Sequence, residues 1–105
     1  MESYSDQGKQ VLNREGVFPD YHSAFSYFLK GAQCNEPESL FMLAECYFHG
    51  LGTEKDLKKA DVFYHLAEKA GHSVDHKIYD RLESGGRDLT QEEIDLIVSE
   101  FQRTG

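Results

Sequence analysis

Slid along itself by 36 positions, this chain of 105 residues falls on its own pattern. Gly16 lands on Gly52, Asp20 on Asp56 and Ala24 on Ala60, while Tyr27–Phe28 meet Phe63–Tyr64. Gly31 meets Ala67 and Cys34 meets Ala70, small on small; Gly8 meets Ala44, and Val11–Leu12 meet Tyr47–Phe48. Further on, Met42–Leu43 meet Ile78–Tyr79 and Gly50 meets Gly86. A period of this length marks units that bury their apolar faces by stacking on one another. Each unit is a helix pair, because apolar residues recur three and four apart. Leu40, Leu43, Ala44 and Tyr47 follow that spacing, as do Ala60, Phe63, Tyr64 and Ala67, and later Ile94, Ile97, Val98 and Phe101. The pattern predicts six helices, near residues 3–14, 20–34, 37–49, 56–70, 74–84 and 90–102. No segment reads as a strand.

Start and stop signals agree with this division. Asp20 and Asp56 suit helix N-caps, where a carboxylate accepts from free backbone N–H groups. Pro37 suits a first helical turn, and Gly71 and Gly85–Gly86 suit the left-handed backbone after a helix. Thr90 with Glu93 forms a capping box, and Leu89 with Ile94 a hydrophobic staple around it. The first helix of the central unit carries two apolar stripes, Leu40–Leu43–Ala44–Tyr47 and Phe41–Phe48. Two stripes let one helix meet both its own partner and the neighbouring unit. Tyr27 and Phe28 are expected to pack on that core.

The residues of the central unit, "LFMLAECYFHGLGTEKDLKKADVFYHLAEKAGH", resemble a Sel1-like repeat, a relative of the tetratricopeptide repeat. The matching positions are Leu43–Ala44, Tyr47, Gly50, Gly52, Asp56, Lys59–Ala60, Phe63–Tyr64, Ala67–Glu68 and Gly71. Residues 3–35 form a degenerate first copy that keeps Gly16–Val17, Asp20 and Ala24 but has Ser23 in place of Lys. Residues 36–71 are the second copy, 72–86 a partial third, and 87–105 a capping helix outside the resemblance. The resemblance implies one all-α domain over residues 1–105, a right-handed α-solenoid of stacked antiparallel helix pairs, about two and a half repeats long. It also implies protein–protein interaction. Family members with a disulfide in each helix pair place those cysteines at positions matching Ala32 and Leu40 here. Cys34 and Cys46 stand elsewhere, which fits a reduced, cytoplasmic protein.

Charge and composition narrow the function further. The formal charge of −8 disfavours nucleic acid, whose phosphates need a basic face, and suits a basic protein partner or plain solubility. No stretch approaches the roughly 20 apolar residues of a membrane span, and "MESYSDQGKQ" has no apolar core of a signal peptide. Two cysteines make no disulfide framework; both read as buried thiols inside helical patterns, not as nucleophiles. The loop "GLGTEK" lacks the Gly-Lys-Ser/Thr and preceding strand of a phosphate-binding loop, and its glycines read as turn residues. His65, His72, Asp75 and His76 raise a metal site as a minor alternative, weakened because His72 follows the helix-ending Gly71. No catalytic residue and no cofactor are expected.

Two functional readings are thus open: an adaptor that binds a protein or peptide on a helical surface, and a small acidic inhibitor or immunity protein that neutralises a basic enzyme or toxin. The chain is expected to be a monomer or a weak homo-oligomer. In repeats of this type the first helix of each pair lines the concave side. Its outward residues are Met42, Glu45 and His49 in the central unit, with Asp6, Lys9 and Asn13 one period earlier and Ile78 and Arg81 one period later. The last helix is expected to cover the open end, with Ile94, Ile97, Val98 and Phe101 packed near Ile78 and Leu82.

Overall fold

The computed structural model describes residues 3–13, 20–83 and 89–103. Gly16–Val17 and Gly85–Gly86 lie outside the described residues. Among the described residues the secondary structure is helical: α1 (Tyr4–Leu12), α2 (Tyr21–Gln33), α3 (Pro37–His49), α4 (Leu57–Lys69), α5 (Lys77–Glu83) and α6 (Gln91–Arg103).

The period of 36 is visible in individual hydrogen bonds. Asp20 Oδ1 accepts from Ser23 N at 3.1 Å, and Asp56 Oδ1 accepts from Lys59 N at 3.1 Å, so the two second helices are capped alike. Their far ends also match. Glu36 N donates to Gly31 O and His72 N to Ala67 O, each at 2.9 Å. This closing bond needs a left-handed residue just before it. Gly71 supplies it at φ 108°, and the first copy uses Asn35 at φ 60°. Asn tolerates that region better than most residues because its short polar side chain bonds locally.

Helices stack in chain order. α1 packs on α2, α2 on α3 and α3 on α4, with narrower contacts of α1 with α3, α4 with α5 and α4 with α6. The core runs along this stack through Phe28, Leu40, Leu43, Ala44, Ala60, Phe63, Tyr64 and Ala67, all nearly inaccessible to solvent. Small residues set the helix spacing: a Cβ on Gly8 would run into the Phe28 ring, and one on Gly31 into Ser39. Gly52, at φ 72°, brings the α3–α4 loop against the Tyr21 backbone, leaving no space for a side chain.

Glu36 joins the units through polar contacts. Its carboxylate accepts from Tyr4 N and Ser5 N at the start of α1, each at 3.3 Å, and from Ser39 Oγ at 2.7 Å. A carboxylate there satisfies orphan donors and meets the positive end of the α1 dipole.

Several expectations need correction. Tyr27 stays outside the core, with Lys30 over its ring at 6.0 Å; Phe25 and Leu29 pack against the core instead. Tyr47 is half-buried, wedged between Phe25 and Phe63. Cys34 is exposed at the C-cap of α2, whereas Cys46 is buried. The fifth helix begins at Lys77, not near residue 74, after a non-helical segment in which Val74 is buried.

The largest correction concerns α6. Its start is as expected, since Glu93 N donates to Thr90 Oγ1 at 3.2 Å. It does not, however, dock beside Ile78 and Leu82. Phe101 meets Phe63 of α4 edge-on at 4.9 Å, Gln33 of α2 donates to Phe101 O at 3.1 Å, and Lys58 of α4 donates to Glu93 at 2.9 Å. The reason is supply of apolar surface. α5 has only seven residues, and its Tyr79 and Leu82 are already buried. The second helices α2 and α4 offer the longer apolar strip.

Candidate interaction surfaces

The outward sides of α1 and α3 are joined by an ion pair. Lys9 pairs with Glu38, tying α1 to α3. Asp6, Asn13 and His49 are exposed and Lys9 is half-buried. Glu45 does more than face solvent. Its carboxylate accepts from Tyr64 Oη at 2.9 Å and lies 3.1 Å from His49 Nε2. Burial, followed by the Glu45 charge, raises the Tyr64 phenol far above its ordinary range. Glu45 therefore anchors α4 to α3 from the surface, a role the repeat spacing did not reveal. Met42 and Ile78 are half-buried and pack against the core, so less of each is available as an apolar anchor than expected. Arg81 is exposed on α5.

The histidines scatter. His65 lies 3.0 Å from Asp61 Oδ1 and stacks on Tyr79 with centroids 4.5 Å apart. His76 approaches Glu68 at 3.5 Å, while His72 leans on Phe41 at 4.6 Å. Among the described residues no three His, Cys, Asp or Glu side chains converge as metal ligands. His65 Nδ1 lies 2.8 Å from the main-chain carbonyl of Asp61, one turn earlier on α4, which orients the ring, and the Asp61 side chain is itself buried. Glu68 is held below the usual carboxylate range, first by the hydrogen bond from Tyr79 and then by His76.

A second surface lies on the α2–α4 side. α6 crosses it with two clefts alongside. One, of about 300 Å³, is lined by Phe25, Leu29, Tyr47, Phe63, Ile97 and Phe101 among others. The other, of about 260 Å³, is lined by Val62, Leu66, Leu89, Ile94 and Val98 together with Asp61 and His65. Leu89 and Ile94 thus sit on the same cleft, as the staple pattern requires. No helix among the described residues is long and apolar enough to cross a membrane.

Comparison with protein families gives a match to the Sel1 repeat over residues 10–36 and 37–72, more than half of the chain. Neither the curated proteins nor the solved structures yielded a match. The matched segments correspond to the two stacked units, the second beginning at Pro37, the first residue of α3.

Proposed function

The chain belongs to the Sel1 repeat family, and from that premise we propose that it is an interaction module whose protein partner docks on the joined α1–α3 surface. Sel1 repeats are protein–protein interaction modules in general. The observation that supports the finer reading is the Lys9–Glu38 bridge, which ties the side of α1 carrying Asp6, Lys9 and Asn13 to the side of α3 carrying Glu38, Met42, Glu45 and His49. Ile78 and Arg81 extend it toward the third unit. Polar groups around a half-buried Met suit an interface with a small apolar centre and a charged rim. No step of this reading requires catalysis, a cofactor or a metal. The free Cys34 and Cys46 suit a reducing compartment.

Affinity capture with the whole chain tests the surface. The double variant Asp6→Asn/His49→Gln changes two exposed residues without placing a new charge beside Glu45 or at the start of α1, and should lower the melting temperature only slightly while weakening the captured partner more than tenfold. Equal retention by variant and wild type would move the interface elsewhere. Met42→Glu is a poorer probe, because Met42 packs on the core and its loss would also lower stability. The charge of −8 favours a second reading, a dedicated inhibitor of a basic protein. A single partner held at nanomolar affinity, with association slowed steeply by salt, would select it; several weaker partners would select the adaptor.

A further inference from the structure

We propose that the strip of α2 and α4 beneath α6 is a helix-binding groove, and that α6 is its resident ligand, exchangeable for a partner helix of the same pattern. This goes beyond the α1–α3 reading and uses another face. Met42 and Tyr47 are five residues apart on α3, so their side chains diverge by roughly 140°; Tyr47 faces the groove.

Three observations carry the inference. First, α6 is seated but poorly enclosed. Its apolar residues Ile94, Ile97, Val98 and Phe101 are all only half-buried, and no residue of the helix is fully buried. Helices that belong to a core fill their surroundings to near-crystalline density. α6 instead leaves open clefts of about 300 and 260 Å³ on its two sides. Second, the receptor strip is well made. Phe63 is fixed in the core at 1% exposure, and Tyr47 and Phe25 are held around it by ring contacts at 5.6 Å. Third, the end of the groove at the start of α4 is basic in an otherwise acidic chain. Lys58 reaches Glu93, and Lys59 lies 5.4 Å from the Tyr47 ring centroid.

These features specify the occupant. It is an amphipathic helix with apolar residues at the spacing of 94, 97, 98 and 101 and a carboxylate just before the first of them. Longer side chains than Ile97 and Val98 would enter the two clefts and gain the contacts α6 leaves unmade. This is the helix-in-groove mode, read through i, i+3, i+4 and i+7 anchors.

The probe is a fluorescent synthetic peptide of residues 89–103, titrated onto the whole chain by anisotropy. In the wild type the groove is open only in molecules whose α6 has lifted, which lowers the apparent affinity by that fraction. Phe101→Asp should free the groove and tighten peptide binding by about tenfold or more. Glu93→Lys, a change at a half-buried side chain of α6 that touches none of the core rings, should tighten it by about two- to fivefold. Lys58→Glu should weaken peptide binding to the Phe101→Asp chain, and a peptide carrying Glu93→Lys should restore it. Equal binding to wild type, Phe101→Asp and Glu93→Lys would overturn the proposal, as would no binding to any of them. So would a charge swap without rescue, because the peptide would then sit elsewhere. Loss of the partner captured through the α1–α3 surface would leave these outcomes untouched.

Discussion

Tyr64 concentrates more of the molecule's logic than any other side chain. It is 1% exposed, meets Phe41 and Phe48 edge-on, and donates its hydroxyl to Glu45. Tyr64→Ala removes the ring from the joint between α3 and α4, and should cost about 3–5 kcal/mol in urea denaturation, the scale of large aromatic truncations. Tyr64→Phe keeps the ring and loses only the bond to Glu45. It should cost about 1 kcal/mol, since the carboxylate regains water at the surface. The two cysteines should separate cleanly in thiol labelling. Burial, and then the Glu45 charge, push the Cys46 thiol up to about 12, so hardly any thiolate exists near neutral pH. Native protein at pH 8 should therefore react once, at the exposed Cys34, and a second time only after unfolding. Two equivalents in native protein would show that α3 opens readily.

Among the described helices, α6 is the one with no fully buried residue. Glu93 is held below the usual carboxylate range by the hydrogen bond and charge of Lys58 and by the Thr90 cap. Its folded value lies below its unfolded one, so the charged form is the one that favours docking. That contribution is fully present above the unfolded value and is lost as pH falls through the folded one. Acidification below about pH 4 should thus loosen α6 before the repeat core melts. Amide exchange followed from pH 6 to pH 3 should show protection falling first in Gln91–Arg103. Uniform loss of protection across α2, α4 and α6 would mean that α6 is integral to the stack.

At the scale of the molecule, the stack spans 42 × 25 × 24 Å, and each unit leans mainly on its neighbours. Exposed apolar surface is the hazard of such an architecture. Truncation after residue 88 would uncover Phe63, Tyr47 and Phe25 together. Light scattering should then detect self-association at concentrations where the whole chain is uniform. A truncated protein with the same mass and melting temperature as the parent would show that these rings close over one another when α6 leaves.

The repeat, the helix pairs, both Asp caps, the Thr90–Glu93 box and most of the core were legible in the sequence, because each depends on spacing within a few residues or on a period of 36. Backbone geometry converts such spacings directly into faces and ends. The seat of α6 was not legible. Its apolar stripe announces that it must be covered, and says nothing of which strip covers it. Solvent exclusion is non-directional, so the docking site goes to whichever apolar surface the other helices leave over. Only the folded stack decided that this is the α2–α4 side, through Phe63, rather than the neighbourhood of Ile78 and Leu82. The same holds for Tyr27 and Phe28, adjacent aromatics of equal standing in the sequence. Phe28 is fully buried and Tyr27 is not, because the 100° between neighbours on a helix allows only one of them to face Gly8.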